Sequence, residues 1–404
     1  MAAFIFILGS AVGAACVYWT LCLVAAVRWR LRGRRQSPAE SSFTPPVSVL
    51  KPVCGLDPDQ YASFETFCRQ DYPEYEILFG SLDTEDAGLA AARVLAKEHP
   101  ERQIHIVAGG RKLGRNYKVS TLHMLAQSAR HDLLVLCDSD MRVGPEYLRK
   151  VVQPFSSPDV GLVTCPYRGC MPRNLAARLE ALGIGADFMP SVFLTEWLWG
   201  TRFAFGSTIV VRKDALEAMG GFEALADELA DDYRLGMGVR AAGYRILLSE
   251  YVVDDVLGAE SFAAMWARRL RWARTARVLQ PVGWAGSFIT HGTPLAIAFA
   301  AATGFSTAGW AALGLCLIVR MVTATGTARL LGDANLPRLL PLLPISDLVN
   351  FLLWVLSFAG NTVEWRGHTF RLGAGGRLEE VVTAKPSAEG GIVNGCDPPG
   401  RDGL

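Results

Sequence analysis

The most chemically informative stretch of the sequence is a pair of carboxylates that follows an apolar run. Residues 132–138 contain Leu and Val without alternation, which is typical of a strand buried on both faces of a parallel sheet. Asp138 and Asp140 come at its end, where strands of open α/β sheets bind ligands. Because Mg²⁺ and Mn²⁺ prefer carboxylate oxygens and bridge to substrate phosphates, the pair predicts a divalent-cation site. A surface turn is the alternative, since Asp and Ser also form turns.

Aspartates at two further places have surroundings that suit substrate binding or acid–base catalysis. Asp83 ends the strand-like run 76–82 and could accept the imide N–H of a uracil ring, with an N-cap of the next helix as the alternative. Asp231 and Asp232 follow an acidic segment in a helix-like stretch. One carboxylate of such a pair, close to another charge, can act as a general base. The alternative is an acidic helix start that the helix dipole stabilises.

Basic side chains at two places could bind phosphate. The segment 114–118 follows a strand and opens a helix, so Lys118 or Arg115 could meet a phosphate there; a solvated basic turn is the alternative. Arg268 and Arg271 lie three residues apart on a predicted helix, and two guanidinium groups together suit a diphosphate. A juxtamembrane basic patch that contacts anionic lipid headgroups is the alternative for this pair.

The elements that must position these residues alternate between strand and helix. Helix-like stretches separate most of the strand-like runs, which are 47–53, 76–82, 104–108, 132–138 and 160–165. This order predicts an α/β domain over 47–257, with a mostly parallel sheet and right-handed crossovers. No G-x-G-x-x-G sequence follows the first strand and no Walker lysine loop is present, which argues against a dinucleotide or P-loop site.

The N-terminal segment predicts a membrane anchor. Residues 3–27 carry no charge, and a bilayer crossing needs about 20 such residues. A cleaved signal peptide is the alternative, but it would place its basic residues before the apolar run. Here the arginines come afterwards, in 28–35. We therefore expect an uncleaved anchor whose C-terminal side, with the catalytic domain, lies in the cytosol.

The C-terminal part predicts an interfacial helix followed by apolar helices. Residues 259–280 have helical period and interleave Trp with Arg, as interfacial helices do. Residues 285–319 are uncharged and, at about 1.5 Å per residue, too long for one crossing, so two helices with a break near 304–309 are expected.

The last apolar segment, 342–361, contains Pro344 and Asp347, which weaken a membrane helix. We predict that this segment is re-entrant or interfacial, which keeps the basic stretch 365–372 in the cytosol and close to the catalytic domain. Three full crossings are the alternative. The predicted segments are an anchor (1–28), a linker (29–46), the catalytic domain (47–257), an interfacial helix (258–284), transmembrane or re-entrant helices (285–363) and a final segment with a disordered tail from about 373 (364–404).

Composition limits the classes of function. The 404 residues are 50% hydrophobic with a net charge of +1, which gives no case for nucleic-acid binding. The nine cysteines form no C-x-x-C pair and no zinc-type cluster, so they fit a reducing compartment.

The ordered series of motifs resembles a known enzyme family. Asp83, Asp138-Ser-Asp140, Asp232 and Arg268-x-x-Arg271-Trp272 match the D, DxD, D, (Q/R)xxRW series of family 2-like glycosyltransferases. The resemblance is closest to family 21, which includes ceramide glucosyltransferases and bacterial hopanoid-biosynthesis glycosyltransferases. Further matching stretches, within a resemblance that covers about residues 1–373, are 49–55, 114–118, 211–216 and 365–372.

The resemblance implies a GT-A fold and an inverting transfer from a UDP-sugar, with Mg²⁺ or Mn²⁺ as cofactor. It assigns uracil binding to Asp83, ribose or sugar binding to Asp138 and the cation to Asp140. It also implies that Asp232 is the general base and that Trp272 shapes the acceptor entrance. The implied contacts to the donor phosphates come from Lys118, Arg268 and Arg271.

The resemblance further implies a lipid acceptor at the bacterial inner membrane. The expected reaction moves glucose or N-acetylglucosamine to the hydroxyl of a hopanoid such as bacteriohopanetetrol, or of a ceramide. A polysaccharide synthase is an alternative, although it would need more transmembrane helices for a polymer channel. A non-catalytic membrane scaffold that binds nucleotide is another alternative, against which the presence of Asp140 and Asp232 argues.

Overall fold

The computed structural model describes residues 1–36, 43–365 and 368–380. The chain divides into two compact units. Of the described residues, one unit, here the helical unit, comprises 1–36, 167–200 and 257–361. The other, here the sheet unit, comprises 43–166, 201–256 and the described part of 362–380.

Strands and helices alternate through the first half of the sheet unit as predicted. The strands of the described residues are β1 (Val47–Pro52), β2 (Tyr75–Ser81), β3 (Gln103–Ala108), β4 (Leu133–Cys137), β5 (Met141–Arg142), β6 (Val160–Thr164), β7 (Tyr167–Cys170), β8 (Thr208–Arg212), β9 (Arg245–Leu248), β10 (Val253–Val256), β11 (Thr362–Trp365), β12 (His368–Leu372) and β13 (Leu378–Glu380). The α-helices are α1 (Ala2–Gln36), α2 (Gln60–Cys68), α3 (Leu89–Glu98), α4 (Tyr117–Ser128), α5 (Tyr147–Val152), α6 (Leu175–Leu182), α7 (Met189–Trp199), α8 (Lys213–Ala218), α9 (Asp231–Ala241), α10 (Phe262–Leu279), α11 (Pro281–Gly286), α12 (Gly292–Ala302), α13 (Thr307–Leu331), α14 (Leu336–Leu339) and α15 (Leu343–Ser357).

The sheet unit is built on a seven-stranded sheet in the order β3-β2-β1-β4-β8-β6-β9. The pairs β3–β2, β2–β1, β1–β4 and β6–β9 are parallel, and only β8 runs antiparallel to both of its neighbours. The predicted fold class, α/β with a mostly parallel sheet, is therefore confirmed.

Strand β4 lies in the middle of this sheet and is buried along its whole length. Val135 of β4 is paired with Val49 of β1 on one side and with Val210 of β8 on the other. Because all five residues of β4 are buried, the strand continues until the first charged residue, Asp138, which has to leave the core. The apolar run thereby places the Asp138-Ser139-Asp140 turn at the carboxyl end of the strand.

Strands β11, β12 and β13 form a separate antiparallel sheet of the sheet unit. The expectation of disorder from about residue 373 is wrong for residues 373–380. The chain reverses at Gly375 and Gly376, whose φ angles of 73° and 88° favour glycine, and Leu378 is buried. The Leu378 amide also donates to the carbonyl oxygen of Asp227 over 2.8 Å. The rest of the predicted tail, 381–404, lies outside the described residues.

Three helices of the helical unit are long and apolar enough to cross a bilayer: Ala2–Gly33, Thr307–Leu331 and Leu336–Ser357. The predicted break in the apolar stretch 285–319 is confirmed, because α12 ends at Ala302 and α13 begins at Thr307. With 11 residues, α12 is only about 16 Å long, which is short of a bilayer core of about 30 Å.

An ionic cluster lies buried among these helices. The guanidinium of Arg320 contacts Asp347 Oδ1 at 2.6 Å and Asp187 Oδ1 at 2.8 Å, and it lies 3.8 Å from the ring centroid of Trp19. Asn350 Nδ2 donates to Asp187 Oδ2 over 2.7 Å. Asp347 is thus paired rather than disruptive, and α15 continues past it to Ser357. The position of this segment in a membrane stays a prediction.

Candidate functional site

The turn after β4 is held by several segments of the sheet unit. The Asp138 amide donates to Ser207 O over 3.4 Å, and the Met141 amide closes the turn on Asp138 O over 3.4 Å. The Val256 amide donates to Asp140 O over 3.1 Å, and the Ser139 hydroxyl donates to the Asp57 carboxylate. The backbone of the two predicted ligand residues is therefore fixed by its neighbours.

Lys118 forms an ion pair with the Asp138 carboxylate. The lysine reaches it because Asn116 caps α4, with its Oδ1 accepting from the Val119 amide over 3.0 Å. Although burial opposes the charged form, the Asp138 carboxylate raises the pKa of Lys118 above its usual value. The lysine is therefore a permanent cation at the end of β4.

The segment with Asp231 and Asp232 docks onto the same helix start. Asn116 Nδ2 donates to Glu228 O over 2.8 Å and contacts Asp231 Oδ1 at 3.3 Å. Gly114 allows this close approach, since a Cβ there would lie 2.5 Å from the Ala226 carbonyl oxygen. The segments that contain Asn116 and Asp231, more than a hundred residues apart in sequence, are thus in direct contact.

The three predicted functional side chains in this region converge on Gly206. A Cβ at Gly206 would lie 3.2 Å from Lys118 Nζ, 3.3 Å from Asp138 Oδ2 and 3.4 Å from Asp232 Oδ2. The absence of a side chain at Gly206 therefore leaves space that one cation and two carboxylates face. Such a space suits a polar ligand with both phosphate and hydroxyl groups.

The carboxylates of the site differ from ordinary surface acids. Burial raises the pKa of Asp140 to about 7, and the charges of Asp138 and Asp57 add to the rise. Burial raises the pKa of Asp232 to about 6, with Asp231 adding to it. Clustered acids with raised pKa values are characteristic of functional sites.

Asp140 fits a divalent cation by its chemistry. Its Oδ1 is buried and has no hydrogen-bond partner among the described residues. In the described ranges, no group of three His, Cys, Asp or Glu side chains is arranged to hold a metal. A cation at Asp140 would therefore complete its coordination with phosphate oxygens and water, as Mg²⁺ commonly does.

Asp83 lies at the carboxyl end of β2 and is half-buried. Its Oδ1 accepts from the Glu85 amide over 2.9 Å, which is a local turn interaction. Asp83 does not cap the next helix, α3, whose N-cap is Gly88, so the N-cap alternative to uracil binding is wrong. The nearby Asp86 is buried and accepts from the amides of Gly55 and Gly88 at 3.0 and 2.8 Å. Asp86 therefore fixes the loop from which Asp83 projects.

The predicted diphosphate ligands Arg268 and Arg271 lie with Trp272 on α10, in the helical unit. Arg268 Nη2 donates to Glu260 Oε2 over 2.7 Å, and its Cζ lies 5.5 Å from the Trp272 ring centroid. The structure thus brings Lys118, Asp138 and Asp232 together in the sheet unit, and it gives Arg268 a carboxylate partner within the helical unit. Trp272 is 45% exposed.

Two residues that contact the turn were missed by the sequence analysis as functional candidates: Lys51 and Asp57. Lys51 had a usable signal, because it is the one charged residue in the strand-like run 47–53. Asp57 lies in a loop, and nothing in its local sequence indicates that its carboxylate meets Ser139.

Comparison with known proteins gives a consistent family. The family model described as glycosyl transferase family 21 matches residues 7–378. Ceramide glucosyltransferase 1 of Caenorhabditis elegans is 24% identical over 343 residues, which cover 83% of this chain and 73% of the relative. Beta-monoglucosyldiacylglycerol synthase of Synechocystis is 26% identical over 237 residues, which cover 54% of this chain and 47% of the relative.

Among solved structures, a mannosyltransferase from Pyrobaculum calidifontis in complex with GDP-Man and Mn²⁺ is similar to this chain at 20% identity and a TM-score of 0.48. The match covers 86% of this chain and 99% of the mannosyltransferase chain.

Proposed function

Because the chain belongs to glycosyl transferase family 21, we propose that it is a membrane-bound, inverting glycosyltransferase that moves a hexose from a UDP-sugar to the hydroxyl of a membrane lipid. The observation that carries this proposal is the convergence of Lys118, Asp138 and Asp232 around Gly206, beside the buried Oδ1 of Asp140. Together, these four groups can bind the phosphates and the sugar of a donor and can accept the proton of an acceptor hydroxyl.

In the proposed reaction, the donor is held at the carboxyl end of β4. Lys118 offsets the negative charge of the diphosphate, and Asp138 contacts the ribose or the sugar. A divalent cation at Asp140, Mg²⁺ or Mn²⁺, would supply further positive charge as the UDP departs. Asp83 keeps its proposed contact with uracil.

Asp232 is the proposed general base. Its Oδ1 accepts from the Tyr233 amide over 2.7 Å, which leaves Oδ2, the oxygen that faces Gly206, to take the proton. The lipid oxygen forms a bond to the anomeric carbon on the face opposite the UDP oxygen, whose bond to that carbon breaks. The raised pKa of Asp232, about 6, makes it a stronger base than an exposed aspartate while it stays ionised at neutral pH.

The proposed acceptor is a lipid with a free hydroxyl, such as a ceramide, a diacylglycerol or a hopanoid. Relatives of this chain are a ceramide glucosyltransferase and a glucosyldiacylglycerol synthase, and both names describe transfer to such lipids. The three candidate membrane helices support a site that works beside a bilayer. Arg268 and Arg271 as donor ligands, and Trp272 at the acceptor, remain part of the proposal, as does a cytosolic orientation at a bacterial inner membrane.

The proposal is tested with the full-length protein in detergent. UDP-glucose and UDP-N-acetylglucosamine are each supplied with ceramide, diacylglycerol or bacteriohopanetetrol in the presence of Mn²⁺, and glycolipid is detected by mass spectrometry. We expect a glycolipid from at least one pair and none from Asp232→Asn. If UDP binds but no pair is converted, the scaffold alternative is supported; a repeatedly extended glycan would favour the polysaccharide synthase.

A further inference from the structure

Beneath the Asp138-Ser139-Asp140 turn lies a lysine whose side chain is completely buried. Lys51 is 0% exposed, in strand β1 next to β4. A buried ammonium is costly unless it is paired, so its partners indicate why it is there. Its Nζ donates to the carbonyl oxygen of Asp138 over 2.6 Å and lies 4.0 Å from the ring centroid of Phe67.

The acceptor of Lys51 is the same atom that closes the turn. Asp138 O also accepts from the Met141 amide over 3.4 Å. This bond closes the turn that contains Ser139 and Asp140. Three other bonds hold the turn through other atoms: the Asp138 amide donates to Ser207 O, the Ser139 hydroxyl donates to the Asp57 carboxylate, and the Val256 amide donates to Asp140 O. Lys51 therefore provides the charge-assisted bond to the turn carbonyl, and such bonds are stronger than neutral ones.

We infer that Lys51 is a positioning residue: its bond to the Asp138 carbonyl holds the turn so that Asp140 Oδ1 is directed at the cation site. The inference rests on the proposed function and assigns a role to a residue of the 49–55 stretch. The competing explanation is a lysine that only fills the core between Phe64 and Phe67, with its charge balanced by the two rings.

Two effects of removing Lys51 have opposite signs, which makes the test decisive. If the lysine acted only as a charge, its loss would leave the carboxylate cluster more negative, and Mn²⁺ would bind more tightly. If the lysine positions the turn, its loss frees Asp140, and Mn²⁺ binds more weakly. A charge-assisted hydrogen bond of ordinary strength corresponds to about tenfold or more in a binding constant.

The experiment measures UDP binding by calorimetry at a series of Mn²⁺ concentrations, using full-length wild type, Lys51→Met and Lys51→Gln. We expect the Mn²⁺ concentration for half-maximal UDP binding to rise about tenfold in Lys51→Met. Because glutamine keeps a donor, Lys51→Gln should lie between Lys51→Met and wild type. Glu76→Gln is the matched control, since Glu76 is a fully buried charge on the adjacent strand β2, bonded to Ser48 at 2.6 Å. It should leave the Mn²⁺ dependence unchanged.

A second readout needs no metal. Hydrogen exchange of the metal-free protein, followed by mass spectrometry of a peptide covering 133–142, should be faster in Lys51→Met than in Glu76→Gln. The inference is overturned if Lys51→Met leaves the Mn²⁺ concentration for half-maximal UDP binding unchanged or lowers it, and also leaves the exchange of this peptide unchanged. Lys51 is then a core residue. If wild type itself shows no Mn²⁺-dependent UDP binding, the proposed function fails instead, and the exchange result still reports on the turn.

Discussion

Gly206→Ala adds one methyl group at the point where the functional side chains converge. The backbone of Gly206 is not in the left-handed region, so the substitution introduces no backbone strain. The new Cβ would lie 3.2 Å from Lys118 Nζ, 3.3 Å from Asp138 Oδ2 and 3.4 Å from Asp232 Oδ2. Contacts below 3.4 Å are closer than a Cβ normally makes, so Lys118 Nζ and Asp138 Oδ2 have to move by a few tenths of an ångström, while Asp232 Oδ2 lies at the edge of ordinary contact.

The size of the effect follows from this displacement. A misplacement of about 1 Å can cost about a hundredfold in rate, so a shift of a few tenths of an ångström in Lys118 and Asp138, the proposed donor ligands, is expected to cost about tenfold in kcat. The methyl group also occupies space that the donor needs, which should weaken UDP binding. The free energy of unfolding should change by less than about 1 kcal/mol, because the affected side chains are partly solvent-accessible.

The assay compares kcat, UDP affinity and thermal unfolding of wild type, Gly206→Ala and the matched control Gly144→Ala. A Cβ at Gly144 would also lie 3.2 Å from a polar atom, the Tyr251 hydroxyl, which is outside the cluster. Wild-type kcat and UDP affinity in Gly206→Ala would refute the reasoning, because the three side chains could not then act together on one ligand. An equal loss in both variants would point to general crowding.

Further predictions concern the two acids, the pH dependence, the buried ion cluster and the topology. Asp140→Asn should weaken Mn²⁺-dependent UDP binding, whereas Asp232→Asn should leave UDP binding within about twofold and reduce kcat by about 10²–10⁴, as calorimetry and turnover assays will show. Because only the ionised base accepts a proton, kcat should be constant above the raised pKa of Asp232 and fall as pH drops below about 6; a profile flat down to pH 4.5 would contradict this assignment. Arg320→Leu leaves the buried Asp347 and the half-buried Asp187 without their cation and should cost about 3–5 kcal/mol, which thermal unfolding in detergent measures; an unchanged melting temperature would mean that the pair is not formed. A cysteine at the exposed Arg371, in a variant without Cys396, should resist impermeant thiol reagents in intact cells; ready labelling would place the C-terminal sheet outside the cytosol.

Residues whose environment is set by the local sequence could be predicted. The apolar run of β4 and the acids that end it are recognisable because a charge cannot remain in a strand that is buried on both faces. The segment 114–118 was expected to open a helix, and α4 begins at Tyr117; Asp231 and Asp232 lie in the first turn of α9, as the alternative of an acidic helix start has it. The local sequence left Arg115 beside Lys118 and Asp231 beside Asp232 as candidates, and the family resemblance selected Lys118, Asp138 and Asp232, which the structure brings together.

Features that depend on chain segments distant in sequence could not be predicted. Strand β8 was not among the predicted strands, because the chain enters the helical unit at 167–200 before it returns to the sheet, which interrupts the alternation of strand and helix. The bond from Lys51 to the Asp138 carbonyl, and the ion pair of Arg268 with Glu180, are tertiary contacts that no periodicity encodes. The prediction of disorder from residue 373 was wrong for residues 373–380 for the same reason, since β13 pairs with β12 and bonds to the carbonyl of Asp227.

The pairing of β13 has a consequence for the order in which the protein matures during synthesis. The Leu378 amide bonds to Asp227 O, and the Leu229 amide bonds to Gly376 O over 3.4 Å, so the segment that leads into Asp231 and Asp232 completes its backbone bonds only after residue 378 has been synthesised. The three candidate membrane helices found in the described residues all precede residue 376. A ribosome therefore delivers these three helices before it delivers the strand that finishes the acidic segment, and a chain stalled during their insertion has not yet completed the segment that carries the proposed base.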